Sequence, residues 1–227
     1  MRAIALPGPV TIAVLPHAPN TAYLVRQASR SGKDIIVHQP MQAHPSAHAS
    51  RERRTLMLDM HEQEFARMTA AALDAVPGRI GLSNHTGSLL TAHRAPMQQL
   101  MTLLRQRDLF FLDSRTTAAT VALDVAREHG VPAVRRDVFL DHDPSPQAIH
   151  LAFERALQIA RRKGRAVLIG HPYDISLDYL EARLADIPAD IKLVTVAELA
   201  LRQTQFSRPA MLAQPPRLAS PHISPGP

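Results

Sequence analysis

The stretch Asp34-Ile35-Ile36-Val37-His38 places a histidine directly after a short run of β-branched residues. A short apolar run between polar residues is typical of a buried strand in a parallel sheet. Similar runs recur along the chain, so we predict strands at residues 10–15, 34–37, 79–83, 109–112, 133–136, 166–169 and 191–194. Seven strands are enough to close a barrel.

Longer amphipathic segments separate these runs and predict helices at residues 62–75, 92–107, 117–129, 145–163 and 175–185. In the second of them, one apolar stripe consists of Met97, Leu100, Met101 and Leu104. Alternating strands and helices in a chain of 227 residues predict a single α/β barrel-like domain. We assign this domain to residues 1–205, with a loop at 43–54 and a disordered proline-rich tail at 206–227.

Composition excludes several classes of protein. The net charge of +6 comes from scattered arginines without interleaved aromatic residues, so no nucleic-acid-binding signature is present. No apolar run approaches the roughly 20 residues of a membrane span, and the N-terminus does not resemble a signal peptide. Because the chain contains no cysteine, any metal must be bound by histidine and carboxylate side chains.

Polar residues follow most of the predicted strands directly. Because the C-terminal ends of parallel strands form one rim, where α/β proteins have their active sites, we expect these side chains to share a site. They are His38, Asn84, His85, Asp113, Arg115, Asp137 and His171.

Histidines at three separate strand ends suggest an open site for a divalent metal, in which water completes the ligand set. A single histidine at such a position is more often a hydrogen-bonded structural residue. Asp113 has an alternative role as the N-cap of the helix that follows it. Asn84 has two candidate roles, as a hydrogen-bond donor to an oxyanion or as a turn residue.

Six segments, in this order and spacing, resemble the successive motifs of the divergent polysaccharide deacetylase family. They are PVTIAVLP at 9–16, HQPM at 38–41, NHTGS at 84–88, FLDSRT at 111–116, RDVFLD at 136–141 and IGHP at 169–172. The resemblance extends over about residues 7 to 200 and implies a distorted (β/α) barrel of the glycoside hydrolase/deacetylase type.

The resemblance also implies a hydrolase of carbohydrate metabolism that uses a divalent metal, often zinc, to remove an acetyl group from a glycan. His38 and His85 match metal ligands, and His171 matches the general acid. Arg115 and Asp137 match residues that orient or tune the site. Asp113 and Asn84 complete the candidate catalytic set. Periplasmic or secreted location in the cell envelope is expected from the family.

Two features depart from the family pattern. Family members begin with an additional strand that ends in an Asp-Asp pair, which supplies a base and a metal ligand, and Gln42 stands where a glutamate is usual. Either the chain is a clipped form of a longer secreted protein or it is a relic with an impaired site. Lacking the first strand, the barrel is expected to expose an edge through which the protein oligomerises.

Two main functional hypotheses follow. The first is a metal-dependent deacetylase of a polysaccharide or peptidoglycan-like glycan, whose activity in this form is left open by the missing Asp-Asp pair. The second is a non-catalytic glycan-binding or envelope-associated protein on the same scaffold. A third, a cytoplasmic hydrolase of a small amide or phosphoester, depends only on fold analogy.

Overall fold

Helices and strands alternate along the chain in the computed structural model, which describes residues 1–45 and 54–207, with side chains up to Gln203. In these ranges the strands are β1 Ile12–Val14, β2 Ile35–Met41, β3 Gly81–Thr86, β4 Phe110–Asp113, β5 Ala133–Arg135, β6 Val138–Phe139 and β7 Leu168–Ile169. The helices are α1 Arg2–Ala5, α2 Thr21–Arg30, α3 Glu62–Asp74, α4 Arg94–Arg105, α5 Ala122–Glu128, α6 Pro146–Lys163, α7 Asp174–Ala185 and α8 Val196–Ser207, with a 3-10 helix at Leu90–Ala92. The predicted α/β class is confirmed.

All strand pairs in the described ranges are parallel. Strands β1 to β5 form one sheet in sequence order, and β6 pairs with β7. Each parallel connection within the larger sheet therefore crosses over through one of the intervening segments, most of them helical. The expected parallel sheet is confirmed.

A β-bulge connects the two sheets. After β5, the amide of Arg136 donates to the carbonyl of Asp113 (2.9 Å). The next two amides, of Asp137 and Val138, both donate to the carbonyl of Val167, at 2.9 and 3.1 Å. Two residues thus oppose one, which shifts the alternation of side chains by one position. The chain passes directly from β5 in the larger sheet to β6, which pairs with β7.

The larger sheet has two different faces because successive side chains in a strand point to opposite sides. On the first face, Val37, Leu82 and Phe111 pack in an apolar cluster with buried residues of α2, α3, α4 and α5. On the second face, Phe110, Leu112 and Val134 pack with residues of α8. We call these the helix-covered face and the inner face.

Helix α4 shows how the amphipathic pattern creates this core. Its predicted stripe of Met97, Leu100, Met101 and Leu104 is fully buried. Burying each such side chain contributes about 1.5–3 kcal/mol relative to leaving it in water. The prediction of an apolar stripe facing the sheet is confirmed for this helix.

The structure differs from the predicted elements in several places. Residues 191–194 form no strand; instead Leu193 packs against Gly8, and the amide of Val196 donates to Thr11 Oγ1 at 3.5 Å. Side-chain contacts, and not a backbone ladder, thus connect this segment to the residues before β1. Strand β6 and helices α1, α2 and α8 were not predicted. Within the described residues, no helix has the length and apolar character of a membrane span.

The predicted loop at 43–54 is irregular at residues 43–45, and residues 46–53 lie outside the described residues. Most of the predicted tail, from residue 208 onward, also lies outside them.

Gly81 provides a test of packing on the inner face. An added Cβ would lie 2.7 Å from two atoms of the Phe110 ring. We expect Gly81→Ala to lower the free energy of unfolding by about 1–3 kcal/mol, because a core without free space must distort to accept a methyl group. Urea unfolding monitored by circular dichroism measures this change.

The matched background is Phe110→Leu, which removes the ring atoms that the new methyl group would meet. In that background the cost of Gly81→Ala should be smaller than in the parent protein. Equal costs in the two backgrounds would contradict the proposed clash.

Candidate functional site

The parallel register divides the predicted site residues between the two faces of the sheet. His38 lies opposite Ser83, and both share the inner face with Leu112. Asn84 lies opposite Gln39, and Asp113 lies opposite Arg135, on the helix-covered face. His85 is two residues after Ser83 and therefore shares the inner face with His38.

His38 and His85 form a pair at the C-terminal end of β2 and β3. Their ring centroids are 4.9 Å apart in an edge-on arrangement. His38 Nδ1 is 2.7 Å from Ser83 Oγ, which fixes the orientation of the ring. Burial, with smaller electrostatic effects of His85 and His171, lowers the pKa of His38 to about 3. His38 is therefore a neutral imidazole at pH 7, the form that binds a metal.

His171 and Asp141 form a second pair, where the chain leaves β7 and β6. Asp141 Oδ1 lies 3.1 Å from His171 Nδ1, and its Oδ2 accepts hydrogen bonds from the His171 amide (2.6 Å) and from Ser176 Oγ (2.9 Å). The Asp141 side chain is completely buried, whereas that of His171 is 44% exposed. The carboxylate thus orients a partly exposed imidazole.

This contact shifts the pKa of both groups. The hydrogen bond to Asp141 raises the pKa of His171 above its usual value, although burial opposes it. Burial alone would raise the pKa of Asp141, but hydrogen bonds from His171 and Ser176 outweigh burial and lower it. A protonated His171 beside an ionised Asp141 is an acid with a proton to donate near neutral pH.

Asp141 was not among the predicted site residues. Asp141 and His171 have equivalent positions on neighbouring strands. Phe139 pairs with Ile169, and Asp141 and His171 each follow two residues later. The strand before Asp141 has only two residues, and such a short run gives little apolar signal. Its place within the RDVFLD motif was the available indication.

Asn84 and Asp113 both organise the loop after β4. Asn84 Oδ1 accepts from the Ser114 amide and its Nδ2 donates to the Thr86 carbonyl, both at 2.8 Å. Asp113 accepts from the Arg115 amide (2.8 Å) and from Thr120 Oγ1 (2.9 Å). Both side chains are fully buried. These bonds favour the turn role of Asn84 over an oxyanion role.

Asp113 contacts the start of α5 indirectly, because Thr120 Oγ1 also accepts from the Ala122 amide at 3.2 Å. Burial raises the pKa of Asp113 more than its hydrogen bonds lower it. Its hydrogen bonds therefore connect it to the loop and helix start, which is the capping type of role considered from the sequence.

Arg115 has an exposed side chain and a left-handed backbone with φ of 51°. Its carbonyl accepts from Arg136 Nη2 at 2.7 Å, and the carbonyl of Ser114 accepts from Arg136 Nε at 2.6 Å. Arg136, which was not among the predicted site residues, thus holds this loop in place. Its side chain lies on the same face of the sheet as that of Val134.

Among the described residues, no contact connects Asp137 with the histidines. Its Oδ2 accepts from the Val167 amide at 3.0 Å, and Lys163 Nζ and Arg165 Nη1 are each 3.8 Å from its carboxylate. These partners precede β7, whereas His171 follows it. Asp137 therefore contacts the opposite end of that strand.

Gln42 connects the end of β2 to neighbouring loops. Its Oε1 accepts from the Leu58 amide at 2.8 Å, and its carbonyl accepts from Leu89 and Leu90 at 3.1 and 3.0 Å. The side-chain oxygen that a glutamate would offer to a metal is thus used within the fold.

The donor chemistry of His38 and His85 fits two ligand positions of a divalent ion such as zinc. Among the described residues, however, no group of three His, Cys, Asp or Glu side chains is arranged to bind a metal. A catalytic zinc site usually has three protein ligands, so this pair provides an incomplete set.

We expect Asp141→Asn to lower the pKa of His171, because the amide removes the negative charge that stabilises the imidazolium. NMR titration of the His171 ring protons in metal-free protein measures this. The parent value should lie above the usual value of about 6.5, and the variant value should lie below the parent value. An unchanged pKa would contradict the role of Asp141 as the partner of His171.

The same substitution should change stability in a defined pH window. Because folding raises the pKa of His171, the His171–Asp141 contact stabilises the protein fully at pH below the pKa of His171 in the unfolded chain. This stabilisation is lost as pH rises through the pKa of His171 in the folded protein. The lowered pKa of Asp141 contributes stability that is lost as pH falls through its folded value. The deficit of Asp141→Asn relative to the parent should thus be greatest at pH of about 4–6.5.

We expect Asn84→Ala to lower the free energy of unfolding by about 1–3 kcal/mol, because it leaves the Ser114 amide without a buried acceptor. Thermal and urea unfolding measure the change. Asn20→Ala is the control, since Asn20 is exposed and forms no side-chain cap bond with α2. Equal stability of the two variants would argue against the loop role.

Three known proteins are similar to this chain. YibQ of Escherichia coli, an uncharacterized protein, is 34% identical over 220 residues, which is 97% of this chain and 67% of YibQ. An uncharacterized protein of Haemophilus influenzae is 36% identical over 195 residues, covering 86% of this chain and 69% of its own length. The crystal structure of uncharacterized protein ATU2773 from Agrobacterium tumefaciens superimposes with a TM-score of 0.83 over 87% of this chain and 81% of that chain.

The last likeness is at 22% sequence identity and shows a shared fold. The sequence itself matches the model of the family described as divergent polysaccharide deacetylase over residues 1–200. That match covers the strands, the histidine pair and the His171–Asp141 contact. The chain therefore belongs to the divergent polysaccharide deacetylase family.

Proposed function

We propose that this protein is a metal-dependent deacetylase-like hydrolase that acts on N- or O-acetyl groups of a polysaccharide or peptidoglycan-like glycan. The observation that supports this most is the juxtaposition of two pairs on one side of the sheet. His38 is a neutral imidazole that lies edge-on to the His85 ring, and His171 with Asp141 is an oriented acid. The electrostatic effect of His171 on the pKa of His38 supports assigning the two pairs to one site.

His171 is the proton donor in this proposal. Its ring is held by Asp141 Oδ1 through Nδ1, so Nε2 is the atom that donates to the leaving amine or hydroxyl. When the acetyl C–N or C–O bond breaks, the leaving group takes up this proton and departs as a neutral molecule. Asp141 stays ionised and stabilises the imidazolium before the transfer.

His38 and His85 would hold the metal, through the imidazole nitrogens that face the inner side of the sheet. Ser83 Oγ maintains the His38 ring in position. A bound zinc ion polarises the acetyl carbonyl and lowers the pKa of a bound water. A base and a third ligand are still required, and in the family the Asp-Asp pair supplies both.

A second candidate function is non-catalytic binding of the same glycans. It is favoured by the lack of a three-residue metal-binding cluster within residues 1–45 and 54–207. In either case we propose a periplasmic or secreted protein of the cell envelope, with a glycan as the partner.

We expect His38→Ala and His85→Ala each to lower the amount of zinc bound by the purified protein, because each removes one of the two imidazole ligands. Elemental analysis after dialysis against zinc measures this. His93→Ala is the matched control, since His93 is exposed and its Nδ1 contacts the carbonyl of Leu89. Unchanged zinc content in both site variants would remove the pair from the metal site.

The enzymatic proposal is tested by acetate release from acetylated chitooligosaccharides. Adding a strand that ends in Asp-Asp should raise both metal content and acetate release, and His171→Ala in that form should abolish release while metal content remains. A form that binds zinc but releases no acetate would favour the glycan-binding function.

A further inference from the structure

We propose that Phe139 and Tyr173, on either side of His171, form a binding surface for a pyranose ring of the glycan next to the acetylated unit. We call Phe139, His142, His171 and Tyr173 the aromatic platform. This inference rests on the proposed function, because it assigns a subsite of the same site.

The four rings lie in contact at the rim formed by the ends of β6 and β7. The His171 ring centroid is 5.3 Å from that of Phe139 and 5.2 Å from that of Tyr173. The Phe139 and His142 centroids are 6.3 Å apart. The rings of each contacting pair are tilted by 36° to 59° relative to one another.

Phe139 and Tyr173 have no part in the apolar core of the described residues. The core clusters contain Phe65, Phe111 and Phe153, among others, but neither of these two rings. Tyr173 is 49% exposed. Aromatic side chains that stay partly exposed beside a polar site, in a chain with only three tyrosines and six phenylalanines, indicate a surface that binds a ligand.

Arg136 supports the platform from the side of the sheet. Its guanidinium carbon lies 5.2 Å from the Phe139 ring centroid, and its nitrogens are bonded to the carbonyls of Ser114 and Arg115. The bulge after β5 is what allows Arg136 and Phe139 to face the same side. Phe139 is therefore fixed before a ligand binds, which reduces the entropy lost on binding.

The chemistry of the platform matches a sugar ring better than a purely apolar ligand. A pyranose has a face of C–H groups that packs on an aromatic ring, and hydroxyl groups at its edge that need hydrogen-bond partners. The platform offers aromatic faces interleaved with the polar ring nitrogens of His142 and His171. Ligand sites combine these two features, apolar contact area and a few directed polar groups.

The test uses calorimetric titration of the 227-residue protein with N-acetylglucosamine and its dimer, trimer and tetramer. We expect affinity to rise with length in the parent protein, because longer oligomers reach the platform. Tyr173→Ala should weaken tetramer binding about ten-fold and leave monomer binding nearly unchanged, whereas Tyr173→Phe should retain the ring contact and bind like the parent.

Two further variants define the surface. Phe139→Leu should have the same effect as Tyr173→Ala, because it removes the adjacent ring. Tyr23→Ala is the control, since Tyr23 is also 46% exposed but lies on α2, away from β6 and β7. It should bind all four sugars like the parent.

Binding and catalysis are measured separately, so the two proposals can fail independently. Length-dependent binding that Tyr173→Ala removes, without acetate release by any form, would support the platform and reject the enzyme. Acetate release together with tetramer binding that is unaffected in Tyr173→Ala would reject the platform and support the enzyme. Failure of the parent to bind the tetramer would also overturn the platform.

Discussion

The register between neighbouring parallel strands determines which side chains can meet in this protein. Side chains on one strand alternate between faces, and the pairing of His38 with Ser83 and of Asp113 with Arg135 assigns each to its side. A slip of one residue between β2 and β3 would exchange Ser83 for a neighbour that faces the helices. The orientation of His38 and its contact with His85 both depend on this register.

Residues on the two faces of the sheet make different kinds of contact. On the inner face, the rings of His38 and His85 lie edge-on to each other, and Ser83 fixes the orientation of His38. Asn84 and Asp113, on the helix-covered face, are buried and use their hydrogen-bonding atoms on the loop that follows β4. That loop in turn provides the carbonyls that hold Arg136. Residues at equivalent strand ends thus differ in role because they point in opposite directions.

Much of the fold could be predicted from the sequence, since the longer strands and helices have strong apolar patterns. The stripe of α4 is an example, because four apolar residues recur at helical spacing and all are buried. The two-residue strand β6 gave almost no such pattern, and Asp141 was overlooked with it. The segment at 191–194 has the composition of a strand but forms none, and its Leu193 packs against Gly8.

The site was only partly predictable for a similar reason. Spacing along the chain identified His38, His85 and His171, because each directly follows an apolar run. It could not show the face on which Asn84 and Asp113 lie, nor that the Asp137 carboxylate contacts Lys163 and Arg165 before β7. These differences arise from pairing partners that are distant in sequence.

The bulge after β5 also limits how the chain can change in length. Val138 and Leu140 pack toward α6 and α7, whereas Phe139 and Asp141 face the site, and this assignment holds only with the extra residue in place. Loss of one residue between Arg135 and Val138 would exchange the two sets and put aliphatic side chains beside His171. In relatives that retain the site, gaps in an alignment should therefore fall in the connecting loops and not within residues 135–141.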